Sequence, residues 1–169
     1  MPPTTDPRPL AAQLLGQLAG EEELLRQARE CVMGLYASLR KGDVPAVQTA
    51  LPRNETLAGR LQSHAEQRQG AAAALAAALG LPANASLQQL AAATPDPFGP
   101  KLLAARTALR ALTTQVDQFR TANANLIDRL RSFFHDVLSG LTAPDAPARY
   151  GPSGNRLTVQ AVSATVVSG

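Results

Sequence analysis

Between Leu109 and Val137 the apolar residues recur at alternating gaps of three and four: Leu109, Leu112, Val116, Phe119, then Asn123, Leu126, Leu130, Phe133 and Val137. Gaps that average half a heptad hold one stripe of an α-helix against a neighbour, which is the pattern of a coiled-coil seam. The flank of this seam changes halfway. At seven-residue intervals it reads Arg106, Thr113, Arg120 and then Ile127, Phe134, Leu141. The apolar face therefore widens toward the C-terminus. A helix whose burial demand grows along its length either packs against a second neighbour there or offers surface to another chain.

The rest of the chain supplies partners for such a helix. Four prolines in Met1 to Pro9 oppose regular structure, because they fix φ and lack N–H donors, so residues 1–9 are expected to be disordered. A first helix is expected from Leu10 to Lys41, with seam positions Leu14, Leu18, Glu21, Leu25, Ala28, Val32, Leu35 and Leu39. Glu21 is its one charged intruder. Gly42 stops that helix and Asp43 caps the next before Val44 and Pro45, a tight reversal between neighbours. The second helix should reach Leu79 with a break or kink at Pro52, its apolar side being Leu57, Leu61, Ala65, Ala72, Leu75 and Leu79. Gly80 and Pro82 end it. Ser86 and Gln89 form a capping box for a short helix, Leu87 to Ala93, and a Pro-rich loop, Thr94 to Pro100, leads to the seam helix. At 1.5 Å per residue that helix would be about 60 Å long.

The expectation is an all-α fold: an elongated, coiled-coil-like antiparallel bundle of three long helices plus one short helix, occupying residues 10–141. Flexible N- and C-terminal segments, 1–9 and 142–169, flank it. After Gly140 the sequence turns to Pro, Asp, Ala and Gly, and nothing in it specifies a further helix.

Composition narrows the function. The chain has 169 residues, 45% hydrophobic, with only 4% aromatic and no Trp, so a core must be built from Leu, Ala and Val. The formal net charge is +3, and the excess lies on the seam-bearing segment from Lys101 to Leu141. A nucleic-acid binder needs a denser basic face or aromatic platforms spaced among the charges, so no nucleic acid is expected. Cys31 is the single cysteine, which permits no internal disulfide and suits a reducing compartment. The longest uncharged apolar run, Ala71 to Leu79, is about half of what a membrane span needs. The location expected is cytoplasmic, without membrane insertion.

Catalysis finds no support, and neither a metal nor a cofactor is expected. His64 and His135 stand on different helices without a Cys, His or carboxylate at metal-ligand spacing. Glu21, Glu22 and Glu23 are consecutive, so on a helix they point about 100° apart and cannot converge on one reacting atom. They read as a solvated face. No Gly-rich loop follows a strand and no GxSxG occurs. Two features carry more. Asn123 is either a buried seam amide, which selects one register of the helices, or a half-exposed residue at a bend. The stripe Ile127, Phe134, Leu141 with Leu138 beside it either faces a second bundle helix or stands exposed. The breaks at Gly16, Gly20 and Glu21 near the start of helix one favour exposure, and an exposed stripe is a receptor for an amphipathic helix of another protein.

Several short segments, in order and spacing, give the chain a likeness to a known family. They are Lys41, Gly42, Asp43, Val44; Asn54, Glu55, Thr56, Leu57; Glu66, Gln67, Arg68; Leu79, Gly80, Leu81, Pro82; Asn123, Ala124, Asn125, Leu126, Ile127; and Tyr150, Gly151, Pro152, Ser153, Gly154. With them the chain resembles the FlgN family of flagellar export chaperones over nearly all its length after the Pro-rich start. The resemblance implies a cytoplasmic, non-enzymatic chaperone that binds the C-terminal helices of hook-filament junction proteins and delivers them to the flagellar type III export apparatus. It implies a cargo-binding region at Leu126, Ile127, Leu130, Phe133, Phe134, Val137 and Leu138, to which the flank adds Leu141. It also implies an export-gate contact at Tyr150, with Gly151 and Gly154 of the same motif. On the residues alone Tyr150 is a recognition anchor in a Pro- and Gly-rich segment or a ring folded back onto the bundle end. A second reading stays open: a structural coiled-coil protein that self-associates through the 109–137 seam, with a homodimer in the free state.

Overall fold

The computed structural model describes residues 6–142. They form four helices and, among the described residues, no strand: α1 Pro7–Lys41, α2 Val44–Ala78, α3 Leu87–Ala93 and α4 Phe98–Thr142. The compact unit built from them ends at Ile127, and a second unit begins at Asp128.

The helix ends follow local chemistry, and two of them correct the expectation. Helix α1 starts at Pro7, not Leu10: the Asp6 carboxylate accepts the N–H of Arg8 at 3.0 Å, and Pro7 occupies the first turn. First-turn N–H groups have no intrahelical partner, so the prolines there lose nothing by lacking one, and Pro7 to Pro9 belong to the helix. By the same logic α4 begins at Phe98 with Pro100 in its first turn, inside the stretch expected to be loop. Helix α2 runs unbroken through Pro52, where a break or kink was expected. The ring leaves the Gln48 carbonyl without its helical donor, but Gln48 and Leu51 to Arg53 are exposed, so that carbonyl is not shut away from solvent.

The two glycine stops were legible and share one geometry. Gly42 and Gly80 both adopt φ 68°, the left-handed region that favours glycine. At the first, Gly42 N–H reaches Leu39 O at 3.2 Å and Asp43 N–H reaches Ser38 O at 3.0 Å. At the second, Gly80 N–H reaches Ala77 O at 3.2 Å and Leu81 N–H reaches Ala76 O at 2.8 Å. Both are Schellman pairs that satisfy the last helical carbonyls. The caps beyond them are equally local. Asp43 accepts from Ala46 N–H at 3.1 Å, and Ser86 and Gln89 close the expected capping box.

All four helices feed one core. It joins Ala11, Leu14, Leu18, Leu25 and Ala28 of α1 with Ala71, Leu75 and Ala76 of α2, Leu90 and Ala91 of α3, and Leu102, Leu109, Leu112 and Val116 of α4. A smaller cluster of Leu24, Cys31 and Leu57 ties α1 to α2. The small side chains of the alanine run let α2 approach closely, and two glycines allow close approach elsewhere, Gly20 between α1 and α2 and Gly99 between α4 and the end of α3. A Cβ on Gly20 would lie 2.7 Å from His64 Cε1, so the imidazole packs on the bare α1 backbone. A Cβ on Gly99 would lie 2.6 Å from the carbonyl oxygen of Ala91 and 2.9 Å from that of Thr94. Glu21, the charged intruder in the α1 seam, is tolerated because Arg68 of α2 donates to it at 3.0 Å. It is thus packed and paired, whereas Glu22 pairs with Arg26 and Glu23 accepts from Gln27 on the exposed face.

Two substitutions test this packing. Leu75→Ala empties a fully buried site and should cost about 2–5 kcal/mol in urea unfolding. Gly99→Ala drives a methyl into two backbone carbonyls that cannot rotate away and should cost about 1–3 kcal/mol, read as a lower melting temperature.

Candidate functional site: the exposed face of helix four

Helix α4 changes character where its flank changes sequence. In its first part Leu102, Leu109, Leu112 and Val116 are buried, and polar contacts with α1 reinforce them. Arg29 donates to Gln115 Oε1 at 3.2 Å, and the Tyr36 and Phe119 rings meet edge to face at 6.3 Å between centroids. The Arg40 guanidinium lies over the same Tyr36 ring at 5.9 Å. Then comes Asn123, 5% exposed, whose Nδ2 donates to the Val32 carbonyl at 3.0 Å. Of the two readings of this residue, the structure shows the buried amide. Its carbonyl oxygen, Oδ1, has no partner among the described residues, and from Ala124 to Leu141 no residue of α4 is buried.

Beyond it the seam is uncovered. Leu126 is half-buried and Ile127 is 38% exposed. In the second unit, Leu130, Phe133, Phe134, Val137, Leu138 and Leu141 are all exposed, from 36% at Leu130 to 76% at Leu141. The Phe133 and Phe134 rings pack against each other edge to face, 5.7 Å between centroids. Beside Phe134 lies an open hollow to which Asp128, Arg131, His135 and Asp136 contribute polar walls. Fully burying one such apolar side chain gains about 1.5–3 kcal/mol, so six of them on one helix segment are a large unspent driving force. Other exposed apolar residues, such as Met33, Val44, Leu51 and Leu103, are dispersed over the helices.

All eight residues of the expected cargo face therefore lie on α4, and exposure begins at the point where the flank turns apolar. The reason is not the one the sequence suggested. The start of α1 is not weakened by Gly16, Gly20 and Glu21 but holds the fully buried Ala11, Leu14 and Leu18. Tyr150, Gly151 and Gly154 lie outside the described residues. The polar surroundings Asp128, Arg131 and Asp136 were not singled out in the sequence. The signal was there, since Arg131 and Leu138 stand three before and four after Phe134, on its own side of the helix. No group of three His, Cys, Asp or Glu that could hold a metal occurs among the described residues, and none of their helices is long and apolar enough to cross a membrane.

Among the described residues the fold is all-helical and leaves an exposed apolar face on α4. A family model described as FlgN protein matches residues 1–158, nearly the whole chain, and the chain belongs to the FlgN family of flagellar export chaperones. Comparison with curated proteins and with solved structures gave no match.

The burial boundary can be probed from both sides. Asn123→Asp places a carboxylate against the Val32 carbonyl in a buried site, which should cost at least about 2 kcal/mol at neutral pH. Burial raises the new carboxyl's folded-state pKa, so the folded state binds the extra proton. The loss should be present at neutral pH and shrink as pH falls through that raised value, where the protonated group donates to the carbonyl. Phe133→Ser, in contrast, should leave the unfolding free energy from urea titration within about 0.5 kcal/mol of the parent.

Proposed function

We propose that this chain is a cytoplasmic export chaperone whose clients are the hook-filament junction proteins, and that it holds their C-terminal helices on the exposed face of α4. The observation that carries this reading is the run of uncovered apolar side chains from Leu130 to Leu141 on a helix whose earlier turns bury their seam at Leu102, Leu109, Leu112 and Val116. A free client exposes an amphipathic terminal helix that drives polymerisation. Laying it on Phe133, Phe134, Val137 and Leu138 removes both apolar faces from water at once. Leu126, Ile127, Leu130 and Leu141 complete the surface in this reading. Asn123 fixes the register in which the packed part of α4 meets α1, and so sets which turn of the helix is left open.

The bundle beneath is read as antiparallel. The chain reverses at Gly42, so that Glu21 meets Arg68 while Cys31 meets Leu57. Going from Arg29 to Tyr36 along α1 moves the partner forward along α4, from Gln115 to Phe119. In this reading α1 and α4 run in one direction and α2 returns. Delivery to the flagellar export apparatus is assigned to the segment beyond Thr142, through Tyr150 with Gly151 and Gly154. Because the client must leave at the export gate, the affinity should be moderate, on the order of micromolar to tens of nanomolar. No catalytic step is part of this reading.

The decisive experiment is co-elution and calorimetry with a C-terminal helix peptide of a hook-filament junction protein. Binding should be lost by at least roughly thirtyfold in Phe134→Glu, with the circular dichroism spectrum and melting temperature unchanged. Retained binding in that variant would remove the face from the assignment. A concentration-independent dimer by light scattering, together with no peptide binding, would favour the self-associating coiled coil instead.

A further inference from the structure

The other half of α4 also has a surface without an assigned role. In sequence its flank is polar, with Arg106 and Thr113 where the second half has Phe134 and Leu141. In the structure that flank borders a hollow reaching across the unit to Arg68 of α2 and Leu87 at the start of α3. Three guanidinium groups line it, from Arg68, Arg106 and Arg110. Arg68 pairs with Glu21 at 3.0 Å, whereas Arg106 and Arg110 have no ion-pair partner among the described residues. Three arginines and one glutamate leave a local charge of two positive units. Leu87 and Leu109 supply an apolar floor between these groups. The Thr114 hydroxyl is spent on the Arg110 carbonyl at 2.9 Å, but that of Thr113 makes no bond among the described residues.

We propose that this hollow is a docking site for an acidic protein segment, one that presents two carboxylates a helical turn apart with an apolar side chain between them. Arg106 and Arg110 are four residues apart on α4, so their stems leave the helix about 6 Å from each other along its axis. Glutamates four apart on an incoming helix have the same spacing. Guanidinium groups bind carboxylates by paired, charge-assisted hydrogen bonds, which fix orientation as well as affinity. The Leu87 and Leu109 floor takes the intervening apolar side chain. A polyphosphate chain or an anionic membrane fits less well. The Glu21 carboxylate stands in the wall, only two positive charges are uncompensated, and no aromatic side chain lines the hollow. The site lies on the first half of α4 and does not depend on the exposed apolar face of the second.

Nuclear magnetic resonance on the full chain tests it. The probe is an alanine-based helical peptide with two glutamates four apart and a leucine between them, beside its glutamine counterpart. The glutamate peptide should shift the side-chain Nε–H signals of Arg106 and Arg110 and the amide of Thr113, and the glutamine peptide should bind at least tenfold more weakly. Arg106→Gln with Arg110→Gln should weaken the glutamate peptide at least tenfold, while the melting temperature and binding of a junction-protein helix stay unchanged. Absence of those shifts, or equal binding of the two peptides, would overturn the proposal. So would tighter binding to phosphatidylserine vesicles or to a single-stranded oligonucleotide than to the glutamate peptide.

Discussion

Everything distinctive in this structure depends on how far α4 is buried against α1. Apolar contacts carry that burial through Leu109, Leu112 and Val116, and a hydrogen bond from Asn123 to the Val32 carbonyl closes it. An apolar residue at that position would be free to slide by a turn along the partner. The amide is not, because its donor needs that carbonyl in the dry interior, and a lost bond there costs the full desolvation of the group. The carbonyl already sits inside a helix and offers its second lone pair, so the bond adds to α1 without taking from it. Burial along α4 thus ends at a side chain that is held by a specific hydrogen bond.

That limit divides the chemistry of α4 between two kinds of surface. Up to Asn123 the helix is a structural member whose outer flank is polar and carries Arg106 and Arg110, across the hollow from the Glu21–Arg68 pair. After it the helix keeps its apolar seam and adds a second apolar row, yet its side chains are left in contact with water. A monomeric protein seldom leaves such a row uncovered without a use for it. Membership of the FlgN family gives that use its context, since an export chaperone must offer a ready surface to a chain that is not yet assembled.

Much of the fold was legible because it is written in local signals. The stops at Gly42 and Gly80, the Asp43 cap and the Ser86–Gln89 box each depend on residues within one turn, and each appears where the sequence placed it. The two displaced helix starts and the absent kink all concern proline. Pro7, Pro9 and Pro100 look like breakers in the sequence, but the first helical turn tolerates them, and Pro52 looks like a kink, but it stands on an exposed face where the freed carbonyl is open to solvent. Contacts between distant residues were not legible. Nothing in the sequence pairs Glu21 with Arg68, sets His64 on Gly20, or brings Tyr36 to Phe119, because each needs two helices already docked in register.

By itself, then, the sequence determined the helices, their ends and the stripe along α4, since spacing of three and four fixes which side chains share a face whatever that face meets. It also marked Asn123 as the point of change. Whether the wider half of the stripe was core or surface lay beyond it, because a buried seam and an exposed one have the same periodicity. The tertiary structure decided that, by packing α4 as far as Asn123 and leaving Leu130 to Leu141 open to solvent. Burial is a property of what stands opposite, and only the docked helices supply it.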